Sequence, residues 1–228
     1  MSQSKQSQGI CSFCGREMSK GGLSRHLKSC VQRQEAIKVA EQSGRGQPQR
    51  LYHLQIQDAW SSDFWLHLEM NGAATLKDLD KYLRAIWLEC CGHLSQFSVG
   101  GWSGTEIPMS RKIERVLQPG VELTHIYDFG TSSETLVKSV DVREGQPLTK
   151  HPIYLMARNK IPEVVCAECG EPASRLCMEC LIEAGEWVTL CEKHAAEHPH
   201  DDYGEPIPLV NSPRLGMCGY DGPAEPPY

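Results

Sequence analysis

LYHLQIQDAWSSDFWLHLEMNGAATLKDLDKYLRAIWLEC, residues 51–90, changes its hydrophobic period once, and that change decides the fold. Tyr52, Leu54 and Ile56 share one face of an extended segment, as do Phe64, Leu66, Leu68 and Met70. This two-residue alternation is the pattern of half-buried strands. After Thr75 the period lengthens, and Leu76, Leu79, Leu83, Ile86 and Cys90 form a helical stripe. Thr75 and Asp78 have the spacing of a capping box at its start. Downstream, LSQFSVGG (94–101), VELTHIYDF (121–129), TLVKSVDV (135–142) and IYLMAR (153–158) read as further strands. SRKIERVL (110–117) reads as a short helix closed by Pro119-Gly120. The expected fold is α+β over residues 51–160: a central mixed sheet with helices on one face, β-grasp-like, flanked by small zinc-binding modules.

The rest of the chain is organised around this block. With 40% hydrophobic and 23% charged residues among 228, the composition is globular. No apolar run approaches the roughly 18 residues needed to cross a bilayer. The opening MSQSKQSQG lacks the apolar core of a signal peptide. A soluble cytoplasmic protein with no membrane partner is expected. Its eleven cysteines should then be reduced, and their spacing favours metal ligation over redox chemistry. The net charge of −6 is unevenly spread: +6 over residues 1–50, −2 over 51–160 and −10 over 161–228. QSGRGQPQR (42–50) reads as a flexible linker, and residues 205–228 as a tail too rich in Pro and Gly for regular structure.

CAECGEPASRLCMEC, residues 166–180, sets two Cys-x-x-Cys pairs side by side. Cys191-x-x-His194, His198 and His200 follow. Each Cys-x-x-Cys turn holds two sulfurs a tetrahedral edge apart, and eight ligands of this kind match two zinc ions. The ligand order of residues 161–204 resembles B-box and related cross-brace modules. That resemblance implies one ion on Cys166, Cys169, Cys191 and His194, and the other on Cys177, Cys180, His198 and His200. The gap between Cys180 and Cys191 is longer than B-boxes usually show, so sequential pairing stays open. Asp201, Asp202 or Cys218 are alternatives to His200. A block this small cannot bury a sufficient core by itself, so structural zinc is the expected role.

At the other end, CSFCGREMSKGGLSRHLKSC (11–30) carries Cys11, Cys14, His26 and Cys30. His26 and Cys30 are four apart, on one helical face. The segment 9–41 is similar to a zinc finger of two-Cys, His-Cys type with a helical extension, which brings the expected ions to three. Lys20, Arg25 and Lys28 could reach phosphates, yet one finger spans only about three base pairs. Nucleic-acid contact through residues 9–50 and protein contact are both open.

Other features carry less. Cys90 continues the apolar stripe and reads as core despite its vicinal partner Cys91. His53, His67, His93, His125 and His151 share no ligand spacing and read as surface or satisfied histidines. No nucleophile elbow, His-Glu-x-x-His helix or phosphate loop is present in the sequence, so no catalytic residue is assigned. LYHLQIQ, FWLHLEM, TLKDLDKYLRAIWL, HLSQF and PGVELTHIYDFG together resemble the plasmid pRiA4b ORF-3-like family over residues 51–150, and the segment NSPRLGMCGY (211–220) is similar to endings in that group. The resemblance implies a soluble α+β domain carried by plasmids and insertion elements, without an established reaction. Where the family continues past YDFG with an acidic residue, Trp and His, this chain has Thr131, Ser133 and Thr135.

Three functions follow in order of support. The first is a non-enzymatic zinc-binding interaction or regulatory protein with an unknown protein partner. The second is a DNA-binding factor acting through the basic finger. The third is an enzyme with a pocket in the middle domain lined by His93, Tyr127 and Asp128.

Overall fold

The computed structural model describes residues 7–43, 47–118, 120–200 and 202–228. The first residues of the chain, part of the 42–50 linker, Pro119 and the alternative ligand Asp201 lie outside the described residues.

Strands β1 (Gln8–Cys11) and β2 (Glu17–Ser19) lead into helices α1 (Lys20–Ser29) and α2 (Val31–Gln42). Then come β3 (Gln49–Asp58), β4 (Trp65–Asn71) and α3 (Leu76–Leu83), which continues as a π-helical turn over Arg84–Leu88. The capping box at Thr75 is formed in both directions, with 3.3 Å from the Asp78 amide to Thr75 Oγ1 and 2.8 Å from the Thr75 amide to Asp78 Oδ2. Next are β5 (Ser95–Val99), β6 (Thr105–Ile107), α4 (Ile113–Val116), β7 (Glu122–Tyr127), β8 (Ser133–Gly145) and β9 (Ile153–Asn159).

These nine strands form one sheet in the order β2-β1-β9-β4-β3-β8-β7-β5-β6. Every described pair in it is antiparallel, so the sheet is not the mixed one expected. Links between sequential partners such as β3 and β4 are too short for the crossover that parallel pairing requires.

Helices cover both faces, not one. On one face Tyr52, Leu54, Ile56, Leu66, Leu68 and Met70 pack with Leu76, Leu79, Leu83 and Trp87 of the α3 segment. The alternate positions, which the period assigned to solvent, are also buried: Trp65 and His67 fully, His53 at 3% and Glu69 at 4% exposure. Leu23 and Leu27 of α1 lie over Trp65, Met156 and Ala157 there. Arg33 of α2 and Arg143 of β8 both reach Glu69, at 3.3 and 2.6 Å. A buried carboxylate is tolerable only when paired in this way.

The N-terminal segment is therefore continuous with the middle block. Gly9 pairs with Asn159 and Cys11 with Ala157, which extends the sheet past β9. Gly9 is required there, because a Cβ would run into the Trp65 ring and the Arg158 carbonyl.

Beyond residue 160, β10 (Arg175–Leu176), β11 (Thr189–Leu190) and β12 (Ile207–Pro208) make a small sheet, with α5 (Glu192–Glu197) after β11. The tail at 205–228, expected to lack regular structure, contributes β12 and a short 3₁₀ turn at Met217–Gly219, and Leu215, Tyr220 and Ala224 within it are buried.

Candidate metal centres

Among the described residues, four groups of Cys and His side chains have donor atoms that all lie within 4.8 Å of one another. All eleven cysteines are free thiols.

The first group is Cys11, Cys14, His26 and Cys30. Cys11 ends β1, and a tight turn closed by the Gly15 amide on the Cys11 carbonyl (2.9 Å) brings Cys14 beside it. Gly15 takes a φ of +72°, which a side chain would resist. His26 comes from α1, with Nε2 3.2 Å from Cys14 Sγ, and Cys30 sits where α1 passes into α2. Burial pushes the Cys11 thiol up to about 11. A metal binding there would therefore have to displace its proton.

The second and third groups interleave. Cys166, Cys169, Cys191 and His194 meet, with His194 Nδ1 3.3 Å from Cys166 Sγ and 3.4 Å from Cys191 Sγ. Cys177, Cys180, His198 and His200 meet separately, with His200 Nδ1 3.1 Å from Cys180 Sγ and His198 Nε2 3.5 Å from the same sulfur. First and third pairs thus converge, as do second and fourth. That is the cross-brace arrangement, with His200 in place as the eighth donor. Desolvation opposes the Cys166 thiolate, but amides of Cys191, Glu168 and Cys169 bring it down to about 6. Of the alternatives to His200, Asp202 instead uses its backbone amide, on Glu179 (3.1 Å), and Cys218 lies in another group.

Bond lengths of about 2.3 Å to sulfur and 2.0–2.1 Å to nitrogen give tetrahedral edges of about 3.8 Å between sulfurs and about 3.5 Å between sulfur and nitrogen. The sulfur–nitrogen separations of 3.1–3.6 Å and the 4.0 Å between the Cys169 and Cys191 sulfurs lie close to these edges, so the residues fit zinc in donor type and in spacing.

The fourth group, Cys90, Cys91, His93 and Cys218, was not expected. Its local signal, Cys-Cys-x-His, is legible just past the helical segment, which ends at Leu88. Cys90 does pack partly against the core. Its last donor lies 125 residues from His93, a distance no spacing rule spans. Of the other histidines, His53 pairs with His67, His125 Nε2 lies 2.8 Å from Asp80 while its buried Nδ1 has no partner among the described residues, and His151 stacks on Tyr228.

No protein-family description matches the chain. No curated protein matches it either. A crystal structure of a protein of unknown function from Methanosarcina mazei Go1 is similar at 18% identity, over 54% of this chain and 75% of that one, with a TM-score of 0.42. Among the described residues no helix is long and apolar enough to cross a membrane.

The three basic residues singled out for phosphate contact are placed unequally. The Lys20 ammonium donates to the Gln57 side chain, and Lys28 pairs with Asp141 at 3.5 Å. Arg25 is exposed. His93, Tyr127 and Asp128 do converge: His93 Nε2 is 3.5 Å from Asp128 Oδ2, and the His93 and Tyr127 ring centroids are 5.8 Å apart.

Proposed function

We propose that the chain is a non-enzymatic zinc-binding interaction or regulatory protein in which three ions shape a basic finger and an acidic two-ion module around an antiparallel scaffold. The observation that carries this reading is the interleaved convergence of eight donors between Cys166 and His200. Thiolate and imidazole sets of four are those zinc takes in closed tetrahedral sites, which leave no position for a catalytic water. The role such ions supply is folding free energy, on the order of 10–16 kcal/mol apparent for small zinc domains. The plasmid and mobile-element setting rests on the resemblance of residues 51–150 to the pRiA4b ORF-3-like family.

The partner that fits is a protein with a basic and apolar contact surface. The acidic module leaves Ile182 50% and Trp187 51% exposed, close in sequence to Glu179, Glu183 and Glu186. Nucleic-acid contact through the finger is the weaker reading, because Lys20 and Lys28 are engaged with the protein's own sheet.

Native mass spectrometry of the full chain tests the metal reading. Zinc bound by the finger and by both halves of the C-terminal module is expected, and a count of one or none would overturn it. Pull-down from native cells, with and without chelator and with Trp187→Ala, tests the partner: capture of a basic protein should need both the metal and Trp187.

A further inference from the structure

The C-terminal tail does not hang free of the domain. Arg214 is fully buried, with Nη2 2.7 Å from Asp128 Oδ2 and Nη1 2.9 Å from both the Thr131 carbonyl and Ser133 Oγ. Ser212 Oγ donates to the Trp87 carbonyl at 2.6 Å, and the Leu155 amide donates to the Tyr228 hydroxyl at 2.8 Å. Between these anchors the chain turns sharply and delivers Cys218 to the end of the α3 segment.

The donors there have the separations of a metal site. Cys90 and Cys91 sulfurs are 3.8 Å apart, and Cys91 and Cys218 sulfurs 3.5 Å. His93 Nε2 is 3.4 Å from Cys218 Sγ and 2.9 Å from Cys91 Sγ. Apart from the shorter His93–Cys91 contact, these values lie within about 0.3 Å of the tetrahedral edges of about 3.8 and 3.5 Å that zinc bond lengths imply. Neither Cys91 nor Cys218 is held there by burial, since both are exposed. Hydrophobic packing therefore does not explain why three thiols and an imidazole converge.

Two further features belong to the same place. The described residues hold three non-glycine positions in the left-handed region, and two of them are Cys218 (φ +52°) and Asp128 (φ +65°) at this cluster. Such backbone is costly and persists where the surroundings over-determine it. Arg214 Nη2, paired with Asp128, also lies 3.4 Å from Cys90 Sγ, so the buried tail anchor reaches a donor sulfur of the cluster directly.

We propose that Cys90, Cys91, His93 and Cys218 form a further binding site for a thiophilic divalent cation of the zinc class, and that the bound ion clasps residues 212–228 onto the sheet domain. The clip joins positions 127 residues apart, so it removes much of the freedom of the tail when the anchors open. The site is separate from the three that support the proposed function, and it stands or falls without them.

The test compares zinc stoichiometry of the full chain and of Cys218→Ser by native mass spectrometry, with Cys91→Ser as a second variant. Each variant should bind one ion fewer than the parent. Amides of residues 212–228 should exchange at least about tenfold faster in the variants, while those of 166–200 are unchanged. Equal stoichiometry in parent and both variants would overturn the proposal, as would a Cys91–Cys218 disulfide in the purified chain. A parent that binds a single ion, lost in Cys218→Ser, would uphold this site while removing the three-ion reading.

Discussion

His53 Nε2 donates to His67 Nδ1 across the β3–β4 pair at 2.9 Å, and His67 Nε2 in turn faces the Lys20 carbonyl of α1 at 3.3 Å. Two neutral imidazoles thus bridge the sheet and the finger helix. Burial lowers His53 to about 2 and His67 to about 4. In the unfolded chain both titrate near the ordinary value of about 6.5. Above that pH neither state binds the protons, and the stability is fully present. As pH falls below about 6.5 only the unfolded chain gains protons, and each histidine costs about 2 kcal/mol by pH 5. Urea midpoints measured from pH 7.5 to 5 should fall, and His53→Gln should flatten that slope because one proton leaves the balance. The comparison with the variant separates this effect from protonation of the metal-ligand histidines, which both proteins share.

Arg214→Met should be among the most damaging single changes outside the ligand sets. It leaves Asp128, 5% exposed, without its ionic partner. Removing one member of a buried pair costs about 3–5 kcal/mol. The loss should appear in denaturant unfolding together with faster exchange at the Leu155 amide, whose acceptor is Tyr228 of the same tail. Wild-type exchange at Leu155 in the variant would mean that the tail is held by other contacts.

Trp65→Ala should loosen the finger from the sheet. Trp65 is fully buried between α1 and β9, and truncation of such a side chain costs about 3–5 kcal/mol. Gly9→Ala strikes the same contact from the opposite side, since its Cβ would collide with that ring and with backbone. Overpacking of this kind costs about 1–3 kcal/mol. Both variants should expose residues 9–43 to limited proteolysis before the rest of the sheet.

Chelation should act unequally on the chain. One buried cluster of the module is Cys166, Cys177, Cys180 and Leu190, so three of its four members are candidate ligands, and a second joins Leu176 and Met178 to Leu215. Without metal that module keeps only the small Leu176–Met178–Leu215 cluster, so amide dispersion around residues 166–200 should collapse. Residues 51–160 bury a large aliphatic and aromatic cluster and should keep their spectrum. The finger should respond in between, because Leu23 and Leu27 rest on Trp65 as well as on the ligand cysteines.

Local order in the chain determined a good deal of this by itself. The alternation through Tyr52–Ile56 and Leu66–Met70, the lengthened period after Thr75 and the capping pair Thr75–Asp78 each describe elements that form, because side-chain period and caps act within a few residues. Cys-x-x-Cys and Cys-x-x-His spacings marked eight donors, and His26, Cys30, His198 and His200 followed close by in the chain, for the same reason: a chelating turn is a local object. Only the tertiary structure decided what covers the second face of the sheet. His53, Trp65, His67 and Glu69 carry a pattern compatible with solvent, and they are buried by helices whose docking depends on β1 joining β9 across about 150 residues of chain. The meeting of Cys218 with Cys90, Cys91 and His93 is of the same kind. Ligand geometry is a property of positions in space, and where chain separation is large no spacing along the sequence encodes it.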